Sequence, residues 1–394
     1  MQTNSKNTCS ACGNSPINHS VAFAISFVDE HIRRFDRVFL KVTERKFWQR
    51  WAELLERLLL FIGSIFGVVS FNSADLDKAL VGRSKIIWEE ARRRNIPMEQ
   101  LMLFGKPTDY YRARINGKTH YFNSLPVPPK LLQVGYRWVD DKLRLAEELE
   151  RAGIPAPRTR RIKTLAGARE AFEILRKPVI VKPEWGSRGR HTTTNISTVE
   201  ELEKAFKLGR EISTTLVLQE HLSGSVCRAT VIDNKLVGFY RADQPAIVGD
   251  GVKKVRELIE EKNKNRHERV SPVVVSEDLE NFISRSGYTI ESILPVGETL
   301  NLSAKTGRLY GSYTKEMFPE VHPKMHGIFE KAGRLCEAPV LGFDLIIADA
   351  TKDPDTVRWG IIECNSLPYI DLHYFALEGE PIDLAKNVWD LWEK

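Results

Sequence analysis

Three oxygen-bearing side chains stand out near the end of the chain: Asp344 in the segment LGFDLI, and Glu363 and Asn365 in the segment IIECNSLP. Polar residues 349–356 separate these apolar segments and predict a β-hairpin. Asp344 and Glu363 are equidistant from its midpoint, so an antiparallel pairing places their Cβ atoms about 5 Å apart. Asn365 then shares their face of the sheet. Because two facing carboxylates favour a hard divalent cation between them, the hairpin predicts a metal site, with a solvated strand face of unrelated acids as the alternative.

A glycine-rich stretch follows Lys182, which ends an apolar strand candidate. Its glycines let backbone N–H groups approach a phosphate closely, and its arginines add positive charge. The stretch therefore predicts a phosphate cradle, although ordinary surface loops share this composition. The residues concerned are Gly186, Ser187, Gly189 and Arg190.

Two weaker candidates lie on either side of this loop in the sequence. Lys142 falls in the first turn of a predicted helix, where a lysine is more often simply solvated. The segment 216–222 reads LVLQEHL, an apolar strand that could offer backbone groups to an adenine edge. An ordinary edge strand explains it equally well. Its last four residues are Gln219, Glu220, His221 and Leu222.

Turn residues and apolar periodicity predict the elements that position these side chains. A helix at 140–152 begins at a capping aspartate, Asp140 or Asp141, and ends at Gly153. The pair Asp233-Asn234 predicts a tight hairpin turn. Strands are predicted at 179–182, 216–220, 226–232, 235–241, 340–348 and 357–364, and helices at 199–210, 252–264, 277–286, 322–336 and before Trp392.

The first 139 residues are less regular. Residues 1–75 combine a polar tail with an apolar helical pattern, and residues 76–139 contain a predicted helix at 84–95 and a hairpin at 115–118. Residues 58–74 carry no charge but are shorter than the roughly 20 apolar residues of a spanning helix. A buried or surface-docked segment is the preferred interpretation, and membrane contact is the alternative. The helical pattern runs through Phe35, Phe39, Phe47, Trp48, Trp51 and Leu55.

Composition indicates a folded protein with an ordinary core: 394 residues, 42% hydrophobic, with a net charge of +6. The positive excess suits anionic ligands such as nucleotides and is too evenly spread to indicate nucleic-acid binding. Five scattered cysteines predict reduced thiols and a cytoplasmic setting. Cys9, Cys12 and His19 are typical of the start of a zinc site. Because no second close pair follows, an unstructured tail is the preferred interpretation.

In this order, the motifs from about residue 135 to 394 resemble the ATP-grasp superfamily, particularly the ATP-grasp domain of cyanophycin synthetases and related glutathione-synthetase-like ligases. The most specific match is residues 245–259, PAIVGDGVKKVRELI. The segments around Asp344 and Glu363 continue the resemblance, as do His373 and Gly379. It implies an α+β ATP-grasp fold at 140–394, with two α+β subdomains gripping ATP. A smaller pre-ATP-grasp α/β region at 76–139 and a helical segment at 1–75 precede it.

The resemblance also implies roles for particular residues. Lys142 and Lys182 would grip the ATP phosphates beneath a mobile loop at 186–190, and residues 220–222 would hold adenine. One or two Mg²⁺ ions, or Mn²⁺, would bind Asp344, Glu363 and Asn365. Arg228 would lie near the reacting carboxylate and phosphate. Relatives carry an arginine and an asparagine where this chain has residues 303–308, so Lys305 or Arg308 would supply the catalytic charge there.

The implied activity is ATP-dependent joining of a small carboxylate to an amine, such as an amino acid or peptide, through an acyl-phosphate. The altered segment 303–308 motivates a different class, a non-catalytic ATP-binding module with a regulatory or membrane-associated role. A third option keeps the fold and transfers phosphate to a non-carboxylate acceptor. Homo-oligomers are common among relatives and are left open here.

Overall fold

The computed structural model describes residues 9–12, 17–28, 46–73, 75–132, 136–184 and 190–393. Gly186, Ser187 and Gly189 of the predicted phosphate loop lie outside the described residues, as do Phe35 and Phe39. The side chains of residues 46–54, which include Phe47, Trp48 and Trp51, are also outside this description.

Helices and strands follow one another irregularly along the chain. The strands are β1 (Val69–Asn72), β2 (Met98–Leu103), β3 (Lys106–Ile115), β4 (Lys118–Asn123), β5 (Thr159–Ile162), β6 (Val179–Pro183), β7 (Thr193–Ile196), β8 (Leu216–Glu220), β9 (Ser225–Ile232), β10 (Lys235–Ala242), β11 (Ala246–Val248), β12 (Thr299–Asn301), β13 (Thr314–Glu316), β14 (Val340–Ile347) and β15 (Trp359–Asn365). The helices are α1 (19–28), α2 (Lys46–Ile65), α3 (Gly82–Arg93), α4 (Lys142–Arg151), α5 (Leu165–Ile174), α6 (Val199–Arg210), α7 (Val255–Lys264), α8 (Glu277–Ser284), α9 (Lys324–Cys336), α10 (Asp371–Tyr374) and α11 (Leu384–Asp390).

A five-stranded antiparallel sheet, in the order β13-β10-β9-β14-β15, forms the centre of the C-terminal part. The predicted turn between β9 and β10 is confirmed, with Asp233 and Asn234 both at positive φ, 51° and 59°. Helices α4 and α9 pack on one face of this sheet, where Phe329 contacts the rings of Phe343 and Trp359. This buried face holds β14 and β15 in fixed register, which determines how their opposite-face side chains meet.

A four-stranded antiparallel sheet, in the order β5-β8-β6-β7, carries α5 and α6 on its apolar face. The predicted helix over residues 199–210 is confirmed. Its N-cap is Thr198, whose hydroxyl accepts from the N–H of Glu201 while the Glu201 carboxylate accepts from the Thr198 N–H. Such a capping box satisfies two end donors and stabilises the helix by about 1 kcal/mol.

The N-terminal sheet is an antiparallel meander, β1-β2-β3-β4, so its arrangement is that of an α+β unit and not of the α/β region that was predicted. The predicted hairpin at 115–118 is confirmed by Asn116 and Gly117, both at positive φ. One core joins this sheet to α3 and to the C-terminal helix α11, through Trp88, Tyr111 and Trp389. The sheet also spans the predicted boundary at 75/76, because β1 pairs with β2.

A small unit connects β10 to β13. It consists of the two-stranded ribbon β11–β12 with α7 and α8 around their own apolar core. Helix α7 begins at Val255, three residues later than predicted. The carboxylate of Asp250 accepts from the N–H groups of Val252 and Lys253, which forms a turn where the helix was expected.

Residues 58–74 are divided between the end of α2 and strand β1, and only part of this apolar stretch is buried. The phenol of Tyr110 donates to Glu56, which holds α2 against the N-terminal sheet. Large apolar side chains on α2 and just beyond it remain exposed, which excludes burial for them and leaves the surface-docked alternative as a prediction. They are Leu58, Leu59, Phe61, Ile65 and Phe66. None of the described helices combines the length and the apolarity that crossing a bilayer requires.

Candidate active site

The predicted pairing on the C-terminal hairpin is confirmed. Asp344 on β14 lies directly opposite Glu363 on β15, and the register shifts only after this pair. The amide of Asn365 lies 3.5 Å from Asp344 Oδ2, so all three side chains occupy one face. Two carboxylates and an amide group therefore share one face, as the sequence predicts, with the amide NH₂ of Asn365 donating to Asp344.

Asp344 is also held by Arg228 on the neighbouring strand β9. Nε of Arg228 lies 2.5 Å from Oδ1 of Asp344, and the Nη2 atom lies 2.8 Å from Oδ2. Arg228 is buried, and its Nη1 group has no hydrogen-bond partner within the described part of the chain. A buried, unsatisfied guanidinium donor is costly unless a ligand oxygen accepts from it. This geometry agrees with a place for Arg228 near an anionic substrate group.

The donor set fits a hard divalent cation. An ionised carboxylate offers about four lone-pair sites, and Arg228 occupies two of those on Asp344. Glu363 is about one-third exposed, and its only ion-pair partner among the described residues is Lys142, with Nζ 3.6 Å from Oε2. Oxygen lone pairs on Asp344, Glu363 and Asn365 thus remain available, and Mg²⁺ prefers such ligands.

Lys142 and Lys182 reach the same place from different elements. Asp141 caps α4 by accepting from the N–H groups of Leu143 and Arg144, which places Lys142 in the first turn as predicted. Lys182 lies at the end of β6. Burial and the charge of Lys142 lower the pKa of Lys182 to about 8, while Glu363 acts in the opposite direction. Helix α4 therefore brings one ammonium group beside Glu363, and strand β6 brings a second within its electrostatic influence.

Gln219 has a role that the sequence did not reveal. Its Oε1 accepts from Nζ of Lys182 at 2.8 Å, and its Nε2 donates to Thr159 Oγ1 at 2.8 Å. Because Gln219 is buried and neutral, it orients the ammonium group without cancelling its charge. The alternation of residue types on β8 gave no signal for this contact, which depends on the pairing of β8 with β6.

Some polar groups of the segment predicted to hold adenine already make hydrogen bonds within the protein. The N–H groups of Glu220 and His221 donate to the carbonyls of Arg158 and Pro178. The Glu220 side chain accepts from the N–H of Arg176. An adenine edge at this segment would therefore use carbonyl oxygens or the N–H of Leu222.

Lys305 lies in a different part of the molecule's surface from the two carboxylates. Lys305 lies over the ring of Tyr310 and lines a cavity of about 410 Å³ whose lining includes neither Asp344 nor Glu363. The predicted phosphate contact of Arg190 stays a prediction. The suggestion that Lys305 contributes to catalysis stays a prediction.

Two buried polar contacts brace the site and were not predicted. The carboxylate of Asp140 accepts from both N–H and Oγ of Ser366, at 2.9 and 2.7 Å, and so fixes the turn after Asn365. His373 joins Thr230 on β9 to Glu316 on β13, with ring nitrogens 2.7 and 2.6 Å from their oxygens. The resemblance named His373, but nothing in the sequence pairs it with Glu316.

The N-terminal region also reaches the site. Arg83 on α3 donates to the carbonyl of Leu367, and its guanidinium stacks 4.6 Å from the Tyr369 ring. Burial raises the pKa of Asp371, against the opposing charges of Arg83 and Arg308. Buried Nε of Arg83 and Oδ1 of Asp371 have no partner within the described residues. These groups are candidates for contacts with a polar substrate.

Comparison with solved structures identifies the class of fold. A bifunctional glutathione synthetase from Pasteurella multocida superposes with a TM-score of 0.55 at 20% identity, covering 80% of this chain and 43% of that one. This similarity identifies an ATP-grasp fold, and the predicted α+β class is confirmed. The chain is thus similar in fold to ATP-grasp proteins.

Comparison of sequences finds similar proteins of two kinds. A cyanophycin synthetase from Nostoc sp. is 27% identical over 323 residues, which is 80% of this chain and 35% of the relative. A glutathione biosynthesis bifunctional protein from Clostridium perfringens is 22% identical over 262 residues, 64% of this chain and 34% of the relative. The chain thus spans about a third of the length of these relatives. No family model matches it.

Proposed function

We propose that this chain is an ATP- and Mg²⁺-dependent ligase that joins a carboxylate to an amine through an acyl-phosphate. The observation that carries the proposal is the convergence of Lys142, Lys182 and Arg228 on the Asp344–Glu363 pair. Three cations around oxygen ligands suit a triphosphate and the charge that develops when its terminal phosphoryl group is transferred. Sequence similarity to cyanophycin synthetases and glutathione-forming enzymes supports the same class of reaction.

In the first step, an oxygen of the substrate carboxylate attacks the γ-phosphorus of ATP, and the bond to the β-phosphate oxygen breaks, releasing ADP. Lys142 and Lys182 neutralise charge on the phosphates, and Nη1 of Arg228 donates to a carboxylate or phosphoryl oxygen. Mg²⁺ held by Asp344, Glu363 and Asn365 would supply further neutralisation of the phosphates; Mn²⁺ can replace it in such sites.

In the second step, the amine attacks the acyl carbon and phosphate leaves, while the amine loses a proton to solvent or a nearby base. Arg228 remains positioned to stabilise negative charge on the acyl oxygen. The bidentate contact with Asp344 keeps its guanidinium plane fixed, so it does not need to reorganise during the reaction. Small-molecule acids and amines, including amino acids and short peptides, are the substrate class that this chemistry indicates.

The test is product analysis with a pool of amino acids and short peptides. Purified protein with ATP and Mg²⁺ should release ADP only when a competent acid and amine are present, and mass spectrometry should show their condensation product. Omitting the pool is the control for simple ATP hydrolysis. Phosphorylated alcohols in place of amides would instead indicate transfer to a non-carboxylate acceptor.

A non-catalytic ATP-binding module is the second candidate, because Lys305 lines a separate cavity and segment 303–308 departs from the relatives. Tight ATP binding measured by calorimetry, with no ADP released from any pool, would favour it. A cytoplasmic location, homo-oligomer formation and membrane contact through residues 58–74 stay predictions. The prediction of membrane contact refers to the exposed apolar side chains on α2.

A further inference from the structure

A second cluster of reactive side chains lies away from the lysine–carboxylate site. Cys9, Cys12, His19 and His191 bring one ligand atom each within 4.8 Å of one another. Three of the four residues lie within 11 positions of sequence, but His191 is 172 residues from His19. The expectation of an unstructured tail is therefore wrong for the described residues of this segment, because the missing partner comes from the turn before β7.

The separations match one tetrahedral centre. Nε2 of His191 lies 3.7 Å from Sγ of Cys9, 3.5 Å from Sγ of Cys12 and 3.2 Å from Nε2 of His19. Cys12 Sγ lies 3.3 Å from His19 Nε2. A tetrahedral zinc ion with Zn–S of about 2.3 Å and Zn–N of about 2.0–2.1 Å separates S and N by about 3.6 Å and two N atoms by about 3.3 Å.

The outer atoms of both imidazole rings determine which nitrogen carries the proton. Nδ1 of His191 lies 2.8 Å from the carbonyl oxygen of Leu208, which can only accept, so Nδ1 carries the hydrogen. Nδ1 of His19 lies 3.5 Å from Oε2 of Glu211, and a carboxylate likewise favours a protonated Nδ1. The lone pairs of both Nε2 atoms therefore face each other across 3.2 Å, beside two sulfur atoms.

For two neutral imidazoles such an arrangement is unfavourable without a cation, because the two lone-pair-bearing nitrogens repel and neither can donate to the other. A metal ion converts all four atoms into ligands. The carbonyl of Leu208 and the carboxylate of Glu211 are then the outer-shell acceptors that metal-bound histidines usually have. The cysteines are free thiols in this structure, so no disulfide competes for their sulfur atoms.

Burial and backbone contacts indicate a structural site and not a catalytic one. Cys12 and His191 are 2% and 1% exposed, which leaves little access for a substrate. The N–H of His191 donates to the carbonyl of Ala11, and Ser26 on α1 contacts Thr214 near the end of α6. These contacts attach the N-terminal segment to the four-stranded sheet unit.

We propose that Cys9, Cys12, His19 and His191 bind a structural Zn²⁺ ion that fastens residues 9–12 and 17–28 to this unit. Two thiolates and two neutral imidazoles are a closed, four-coordinate zinc ligand set. Binding releases the two thiol protons to solvent and involves no redox change. The inference does not depend on the proposed ligase activity, because none of these residues belongs to the lysine–carboxylate cluster.

The experiment measures metal in the full chain purified under reducing conditions and reconstituted with excess ZnCl₂, then desalted. Elemental analysis should find about one Zn²⁺ per chain. Cys12→Ser and His191→Gln should lose it. Cys336→Ala and His326→Gln, which remove a thiol and an imidazole elsewhere, are the matched controls and should retain it.

A second measurement uses the wild-type chain, so that its result does not depend on whether a variant folds. Wild-type chain loaded with Co²⁺ should show visible bands of a tetrahedral site together with thiolate-to-cobalt charge transfer, and Cys9→Ser, a change at a partly exposed residue, should weaken the charge-transfer band. Absence of stoichiometric zinc, retention of zinc by Cys12→Ser and His191→Gln, or a six-coordinate cobalt spectrum without charge transfer would each overturn the proposal.

Discussion

The proposed metal ligands of the lysine–carboxylate site and the members of the cysteine–histidine cluster differ in how they are distributed along the chain. Asp344, Glu363 and Asn365 lie on one hairpin, where strand geometry alone makes them neighbours. The cysteine–histidine cluster needs His191, which only the folded chain brings to Cys12. Local pairing rules can reveal the first kind of site in a sequence, whereas the second kind stays hidden until the tertiary structure is known.

The two sites also differ in whether their polar groups already have hydrogen-bond partners. The lysine–carboxylate site leaves donors and acceptors unsatisfied, such as Nη1 of Arg228, as a ligand-binding site should. The cysteine–histidine cluster is enclosed, and its outer nitrogen atoms already face Leu208 and Glu211. This contrast predicts that changes at the first site affect turnover, and that changes at the second affect mainly stability.

The largest effect is expected from Glu363→Gln. This change keeps the side-chain shape but removes a negative charge from the proposed metal ligands, so ADP release should fall by about 100- to 1,000-fold. Asp355→Asn, at an exposed acid in the turn of the same hairpin, is the matched control and should retain activity. Equal rates for the two variants would remove Glu363 from the site.

Asp344→Asn should affect the fold as well as turnover. It leaves Arg228 buried without its carboxylate, and breaking a buried ion pair costs about 3–5 kcal/mol of unfolding free energy. Glu363→Gln should cost less than about 1 kcal/mol, because its contact with Lys142 is long and partly exposed. Urea denaturation of both variants measures this difference. Similar losses of unfolding free energy would contradict the conclusion that Asp344, and not Glu363, belongs to a buried ion pair.

Removing the proposed zinc should lower stability more than it lowers turnover. Treatment with a chelator under reducing conditions, or Cys12→Ser, should reduce the melting temperature by at least about 5 °C. The rate of ADP release should fall far less than in Glu363→Gln. His326→Gln is the control for general effects of losing a histidine. A rate loss as large as that of Glu363→Gln would break the distinction between the two sites.

The smallest expected effect is a pH dependence of ATP binding. Because the pKa of Lys182 is about 8, its ammonium group loses its charge as the pH rises through that value. If only the charged form binds phosphate, affinity should fall about tenfold between about pH 7 and pH 9. Calorimetry in buffers of different ionisation enthalpy should show proton uptake near pH 8, and Lys182→Arg should abolish both effects.

The lowered pKa of Lys182 also affects the stability of the protein without ATP. Here a rise in pH is favourable, whereas it is unfavourable for ATP binding. The folded pKa lies below the unfolded value of 10.5, so between these values the unfolded chain binds more protons. Unfolding free energy should therefore rise with pH across that window, as far as Lys182 contributes. A fall specific to wild type and absent in Lys182→Arg would contradict the lowered pKa.

Much of the fold was predictable because its signals are local. The hairpin turns at Asn116-Gly117 and Asp233-Asn234, the capping of α4 and the register of β14 with β15 all follow from nearby residues. Contacts between distant segments were not predictable. Gln219 orients Lys182, Asp140 holds Ser366, and Glu316 pairs with His373 only because separate strands and loops meet.

The most direct test of the proposed chemistry follows oxygen atoms. When the carboxylates of the substrate pool carry ¹⁸O, transfer of a phosphoryl group to the carboxylate and attack by the amine must leave one ¹⁸O in the released phosphate. Mass spectrometry of that phosphate should find the label in wild type, in proportion to the amide formed. Phosphate without ¹⁸O, released at the same rate as ADP, would show that water is the acceptor and would contradict the ligase mechanism.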